Sequence, residues 1–397
     1  MIHYITFQQA TIVIHHHATA YVDEQAVIWL PAFIGRWVNA IAQHCCEVRL
    51  LLYKTDQRTP RQDTSVSMPN VCLYSLGKPG KTWDRITRMR QLRRVCSEAA
   101  EGADGLVIRG ITPRQHAVWK STPIQNKAFM LVGSLSGELP PLRPSFKSIY
   151  SWVMAQQRPK EVHAMAKDGV TLLANSPLLV DELHQYTNHP VQFIPTNSLS
   201  SAEFPPLRPR MINPTPRLLY CGRIVLEKGV SELIQALALP GAEDYQLDMV
   251  GPVGNHERTY LSQLAQKMGV SHRIHWHGLV KYGEYLFKFY RQSGFFVLPT
   301  YTEGFPHVIW EAAAHSCPVI TTAVGGIPAL WKHEQHGILI EPKNRQDIVN
   351  AIECLRWDNT LRKRLVMAAY HHALDYTVEV CVQKLVDYLS EEWHLPQ

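Results

Sequence analysis

From Arg217 onward the chain alternates short apolar runs with amphipathic segments, and this alternation limits the fold more than any other feature. Arg217–Cys221 is closed by Gly222, Tyr245–Val250 by Gly251-Pro252, and Phe295–Leu298 is bounded by Gly294 and Pro299. Arg273–His277 and Val319–Thr321 are further strand candidates. Helical segments fall between them: Ser231–Leu239 ended by Pro240-Gly241, Glu257–Met268 ended by Gly269, and Tyr282–Gln292. Strands without polar alternation belong to parallel sheets covered on both faces. Strand–helix repetition with Gly/Pro junctions predicts βαβ units and a doubly wound sheet.

Residues 1–200 follow the same plan less regularly. Strands are expected at Ile2–Phe7, Val48–Tyr53, Val71–Leu76, Leu106–Arg109, Ala128–Val132 and Val170–Ala174, and helices at Gly35–Gln43, Trp83–Ala100 and Pro113–Lys120. Ile12-Val13-Ile14 and Ala26-Val27-Ile28-Trp29 can pair as a hairpin around Asp23-Glu24. Ser198–Pro216 carries Pro205, Pro206, Pro209, Pro214 and Pro216 and reads as a semi-rigid linker. A chain of 397 residues exceeds one ordinary core. The expected division is therefore an N-terminal α/β domain at 1–200 and a C-terminal one at 201–377, facing each other across a cleft. Ligands of open parallel sheets bind beyond the carboxyl ends of the strands, so the junctions there are the places to search.

Apolar residues at 46% and charged ones at 19% fit a globular chain rather than a disordered or fibrous one. The eight cysteines contain no C-x-x-C pair, which suits a reducing, cytoplasmic setting. Met1–Phe7 reads as a first strand rather than a signal peptide, and no stretch reaches the length of a membrane span. Residues 1–200 hold 21 Lys+Arg against 14 Asp+Glu, while 201–397 hold 19 against 20, so the basic surface belongs to the first half. Lys78, Lys81, Arg85, Arg88, Arg90, Arg93 and Arg94 face only Asp84, while Trp83, Ile86, Met89, Leu92 and Cys96 recur at helical spacing. That segment suits either an anionic membrane surface or a solvated helix packed on the sheet. No nucleic-acid module is visible. His15-His16-His17 cannot all ligate one ion from a regular strand, because adjacent side chains point to opposite faces, and a polar edge or loop is expected there.

Three strand–helix junctions carry chemistry. In Gly222-Arg223-Ile224-Val225-Leu226-Glu227-Lys228-Gly229-Val230 two cations suit phosphate oxygens, Arg as a fork and Lys as a point charge. In Glu303-Gly304-Phe305-Pro306-His307-Val308-Ile309-Trp310-Glu311, Pro306 fits a first helical turn, leaving Glu303 in the loop and Glu311 inside the helix. The free N–H groups of such a helix start suit an anion. Thr322-Ala323-Val324-Gly325-Gly326-Ile327-Pro328 supplies a Gly-Gly turn that allows close approach of a ligand.

Taken in this order, residues 217–342 resemble the retaining GT-B glycosyltransferases of family 4. The resemblance implies two Rossmann-like domains, with acceptor on the first, donor on the second, and a last helix, Val378–Trp393 (about 378–397), crossing back to the first. It implies that Arg223 and Lys228 neutralise the donor diphosphate, that Glu311 binds the ribose hydroxyls, and that Glu303 touches the donor sugar. Gly222, Gly304, Phe305 and Pro306 would give backbone contacts, and Gly251 and Val280 would flank the nucleotide. No metal or other cofactor is expected, since cations and a helix start already face the diphosphate. The family's histidine after the fifth strand has no counterpart in Leu131-Val132-Gly133-Ser134, and its Gly-Gly loop before the first helix is replaced by Leu30-Pro31-Ala32-Phe33-Ile34-Gly35. The expected reaction is metal-independent sugar transfer, with retention, from a nucleotide sugar to a glycan or lipid-linked acceptor. It would serve cell-surface polysaccharide or glycoconjugate synthesis at the inner face of the cytoplasmic membrane. A GT-B-shaped epimerase or hydrolase and a non-catalytic sugar-nucleotide-binding subunit are the alternatives.

Overall fold

The computed structural model describes residues 6–80, 88–112, 114–133, 135, 146–207 and 216–395, with side chains of the 146–167 helix from residue 156 onward. The chain divides into two compact units, Met1–Ser198 with Val378–Gln397, and Leu199–Thr377.

The first unit is built on β1 (Thr11–Val22), β2 (Ile28–Leu30), β3 (Glu47–Thr55), β4 (Thr64–Ser65), β5 (Val71–Ser75), β6 (Gly105–Arg109), β7 (Asn126–Leu131), β8 (Thr171–Ala174) and β9 (Val191–Phe193). Its parallel core runs β5-β3-β1-β6-β7-β8-β9, while β2 and β4 extend the far end of β1 as antiparallel strands. Helices α1 (Ala32–Ala42), α2 (Met89–Ala100), α3 (Gln115–Ser121), α4 (Phe146–Lys167), α5 (Pro177–His184) and the C-terminal Val378–Glu392 cover it. Successive residues of β1 show why the strand has no polar face. Ile12 and Ile14 join a cluster with Trp37, Ile41, Leu385 and Leu389, while Val13 joins the opposite cluster with Leu92, Cys96 and Trp119. Trp393 lies so close over β6 that a Cβ at Gly105 would fall 2.3 Å from its ring.

The second unit is a six-stranded parallel sheet: β10 (Arg217–Cys221), β11 (Gln246–Val250), β12 (Ile274–Gly278), β13 (Phe295–Leu298), β14 (Val319–Thr322) and β15 (Ile338–Ile340), in the order β12-β11-β10-β13-β14-β15. Its helices are α6 (Val230–Ala236), α7 (Asn255–Lys267), α8 (Glu284–Gln292), α9 (His307–Ala314), α10 (Ile327–Leu330), α11 (Arg345–Trp357) and α12 (Asn359–Leu374); Val378–Glu392 is α13. Strand order reverses between β10 and β13, which is where doubly wound sheets open a crevice for ligands. Two Rossmann-like parallel sheets in one chain make the GT-B fold.

The first half departs from expectation in four places. The first described strand is Thr11–Val22, and Phe7 belongs to a 3-10 turn, Phe7–Gln9, rather than to a strand at Ile2–Phe7; Met1–Ile5 lie outside the described residues. The hairpin around Asp23 pairs Tyr21 with Trp29 and Val22 with Ile28, not Ile12-Val13-Ile14, which lie in parallel register with β3 and β6; the Asp23 carboxylate shapes the turn by accepting from the Gln25 and Val27 N–H groups and from the Trp29 indole. His15-His16-His17 is no edge or loop: it lies within β1, an interior strand of the parallel core between β3 and β6, with His15 and His16 each 1% exposed. Helix α4 was not foreseen, since Pro159 interrupts its pattern. The basic segment around Trp83 falls partly at residues 81–87, outside the described residues; its continuation α2 buries Leu92, Val95 and Cys96. Of the linker, Tyr370 Oη donates to the Pro205 carbonyl at 2.9 Å, holding that stretch to α12.

Candidate functional site

In the second unit, the turn after β10 and the loop after β13 meet across the strand-order reversal. Gly222 leaves β10 with φ 144° and donates its N–H to the Val250 carbonyl at 3.0 Å. A Cβ at Gly251 would stand 1.8 Å from the Gly222 carbonyl, so the turns after β10 and β11 touch backbone to backbone. Tyr220 Oη donates to the Arg223 carbonyl at 2.6 Å, fixing the turn from below. Gly229, at φ 68°, would put a Cβ 1.9 Å from the Pro299 carbonyl. The Tyr301 N–H donates to the Glu227 carbonyl at 2.9 Å, tying the β10 turn to the β13 loop.

These ties bring Lys228 to Glu303. Lys228 ends a 3-10 turn, Leu226–Lys228, and its Nζ donates to Glu303 Oε1 at 2.6 Å and to the Thr302 carbonyl at 3.1 Å. Both side chains are largely buried, at 11% and 19% exposed, so the pair is screened less than a surface ion pair. The Glu303 loop is itself clamped: the Gly326 N–H donates to the Glu303 carbonyl, and Gly325, at φ 56°, would set a Cβ 1.9 Å from that oxygen. Thr322 Oγ1 donates to the Thr300 carbonyl at 2.6 Å, holding the same loop to β14.

The two cations of the β10 turn are not equivalent. Arg223 is exposed and makes one long contact, 3.7 Å, with Glu227, so its fork projects into solvent. Helix α9 begins at His307 with Pro306 as N-cap, one position earlier than the first helical turn expected for that proline. Glu311 sits inside α9, 5% exposed, and accepts from Tyr290 Oη at 2.7 Å. Burial, with the negative Glu311 second, pushes the neighbouring Cys221 thiol up to about 12 and keeps it protonated. Phe305 stacks on Trp310 at 4.6 Å, and Trp310 on Tyr376 at 4.6 Å. Gly304 is half-buried in the loop before α9, and Val280 is half-buried two residues past β12, whose Gly278 carbonyl accepts from the Gly251 N–H at 2.7 Å. Arg223, Lys228, Glu303, Gly304 and Gly222 therefore share the paired loops of β10 and β13, with Gly251 behind them and Glu311 one helix turn below.

Sequence reasoning did not single out Tyr290 or Thr300, and took Thr322 only as the start of the Gly-Gly turn. A tyrosine on the buried face of α8 was the available signal for the first. His277, three residues before Val280, is held by Asp248, which accepts from His277 Nε2 at 2.6 Å and from both Nε and Nη2 of Arg217. Burial pushes the Asp248 carboxyl up, but those two hydrogen-bonded partners outweigh it and leave it below its ordinary value. Among the described residues no three His, Cys, Asp or Glu side chains group as metal ligands.

Residues 210–372 match the model of the family described as glycosyl transferases group 1. An uncharacterized glycosyltransferase of Methanocaldococcus jannaschii is 32% identical over 149 residues, covering 38% of this chain and 38% of that protein. The capsular polysaccharide biosynthesis glycosyltransferase CapM of Staphylococcus aureus is 33% identical over 152 residues, covering 37% of this chain and 38% of the relative. The chain thus spans well under half the length of these two relatives. Sucrose-phosphate synthase from Thermosynechococcus elongatus shares the fold with a TM-score of 0.70 at 18% identity, covering 97% of this chain and 100% of that one.

Proposed function

From the premise that this chain is a GT-B protein carrying a glycosyl transferases group 1 domain over residues 210–372, we propose that it transfers a sugar from a nucleotide-sugar donor to a glycan or lipid-linked acceptor, with retention and without a metal. The observation that carries this reading is the buried Lys228–Glu303 pair at the point where strand order reverses, with the exposed Arg223 fork on the same turn. A carboxylate beside two cations suits a reaction in which positive charge grows on a sugar while a diphosphate leaves. In this reading Lys228 turns from Glu303 toward the diphosphate as the donor enters. Arg223 closes on the phosphate oxygens as a two-pronged donor. Glu303 stabilises the oxocarbenium-like sugar, and the departing phosphate takes the proton of the acceptor hydroxyl. Glu311, held by Tyr290, accepts from the ribose hydroxyls, with Gly251 and Val280 beside the base.

Identity of 33% over 152 residues to a capsular polysaccharide biosynthesis glycosyltransferase favours a polysaccharide or glycoconjugate acceptor. No helix among the described residues is long and apolar enough to cross a membrane. Attachment to an anionic membrane surface through the basic segment near Trp83, at the cytoplasmic face, is part of the proposal. The reading is tested by thermal melting of the purified protein against UDP-, GDP- and ADP-sugars, because a ligand of the folded state alone raises its stability. One nucleotide class should raise Tm in a saturable way and lose that effect in Arg223→Ala; no shift with any of them would overturn the donor assignment.

A further inference from the structure

Among the described residues, the first unit buries a cation that no carboxylate matches. Arg109 ends β6 and is 3% exposed. One guanidinium nitrogen, Nη1, donates weakly to the Phe33 carbonyl at 3.4 Å, and the group lies 5.0 Å from the centre of the Trp37 ring. Its Nε is sealed from solvent and has no acceptor. Among the described residues Arg109 forms no ion pair. Burial lowers its pKa to about 10, which leaves it charged at neutral pH. A buried charge without a counter-ion is costly, and folded proteins keep one where something else supplies the opposite charge.

His16, whose level in β1 is that of Arg109 in β6, sits beside it. Its Nδ1 accepts the Ala18 N–H at 2.9 Å, which leaves the proton of the neutral ring on Nε2. The turn at Gly110, with φ 87°, brings bare backbone up to that nitrogen: a Cβ there would stand 3.8 Å from His16 Nε2 and press on Val132 at 2.9 Å. His15, by contrast, is used internally, between the Leu51 carbonyl at 2.8 Å and Thr112 Oγ1 at 3.0 Å. The exposed His17 stacks 4.1 Å from His16 and forms the rim with Phe33. The N-terminus of α1 is not the anion site, since the Asp63 carboxylate already accepts from the Ala32 N–H. The cluster lies at the carboxyl ends of the parallel strands, where ligands of such sheets bind.

We propose that Arg109 and His16, beside the bare backbone of Gly110, form an oxyanion subsite of the first unit that takes a phosphoryl or carboxylate group carried by the acceptor. The assignment to an acceptor rests on the glycosyl-transfer reading; the anion site itself does not. Arg109 would supply the matching charge and a guanidinium N–H to one oxygen and His16 Nε2–H would donate to another, so neutral sugars without such a group would be poor acceptors.

The test uses the full chain at fixed ionic strength, with chloride replaced by inorganic phosphate or by acetate, and reads Tm. Wild type and the Arg223→Ala/Lys228→Ala double variant should both show a saturable rise with at least one of the two anions, and the anion that acts names the group. Arg109→Met should melt no lower than wild type without added anion, since it removes an unmatched buried charge, and should lose the rise. Arg109→Lys, which keeps the charge without the fork, should reduce it several-fold. A rise that persists unchanged in both Arg109 variants, a rise lost in the Arg223/Lys228 variant, or no rise with either anion would overturn the site. So would an unfolded Arg109→Met beside an Arg109→Lys that responds like wild type, the signature of a purely structural arginine. Failure of the glycosyl-transfer reading is seen separately, as no release of nucleoside diphosphate from any donor, and leaves the anion response as it was.

Discussion

Lys228 and Glu303 are 75 residues apart in the sequence and 2.6 Å apart in the fold. Each is the other's counter-ion, so in the proposed reaction a donor diphosphate would compete with Glu303 for the ammonium. Glu303→Gln should therefore bind the nucleoside diphosphate product more tightly while kcat falls by the equivalent of about 2–4 kcal/mol, because the lost charge acts mainly in the transition state. Product inhibition and steady-state kinetics on the variant check both halves. Unchanged kcat with weaker product binding would make Glu303 a simple binding residue.

Glu311 and Tyr290 should fail in another way. Glu311 is fixed before the donor arrives by the 2.7 Å hydrogen bond from Tyr290. Glu311→Gln should raise the donor KM with kcat nearly kept, as expected for contacts equal in ground and transition states. Tyr290→Phe should do the same more weakly, by about 1–3 kcal/mol, since it only frees the carboxylate to move. A drop in kcat at saturating donor in either variant would contradict this division.

Gly325 tests the clamp on the Glu303 loop. An alanine there meets the Glu303 carbonyl at 1.9 Å and must adopt φ 56°. Gly325→Ala should cost about 1–3 kcal/mol of stability and lower kcat together, read by thermal melting and turnover. Wild-type values for both would mean the loop is not held from β14.

Acid should weaken the fold through buried histidines. His336 is lowered to about 4 by burial first, then by His372 and Lys332, and His15 to about 4 by burial against the opposing pull of the Leu51 carbonyl. The folded state holds both neutral, whereas the unfolded chain takes up protons below its ordinary value of 6.5. Their contribution is complete above pH 6.5 and is lost as pH falls from there toward 4. Between pH 7.5 and pH 5, His336→Phe should lose about 2 kcal/mol less than wild type by calorimetry. An equal loss would show that His336 titrates normally.

The second unit was legible in the sequence because local signals and global fold agree there. Arg217–Cys221 and Phe295–Leu298 are the strands expected, and the bounds expected for β11, β12 and β14 differ from the observed ones by one residue, since Gly and Pro punctuate nearly every junction; Ile338–Ile340 was not anticipated. The first unit was harder to read. Three histidines disguised the middle of β1, where burial is achieved by spending ring nitrogens on Leu51, Thr112 and Ala18, partners no local pattern reveals. Arg223 and Lys228 could be picked out from the sequence, but not their inequality: whether a cation is exposed or paired depends on the β13 loop, which arrives from far along the chain. Arg109 gave no signal at all, because an arginine at a strand end is ordinary until its neighbours are known.

The most direct measurement of the central claim is release of nucleoside diphosphate from UDP-, GDP- and ADP-sugars by wild type and Lys228→Ala, each in the presence of excess EDTA. Wild type should turn over one nucleotide class despite the chelator, and Lys228→Ala should be slower by about 2–4 kcal/mol of transition-state stabilisation. Release by Lys228→Ala at the wild-type rate, or wild-type release that stops with EDTA and returns with a divalent ion, would contradict a metal-free donor site built on the Lys228–Glu303 pair.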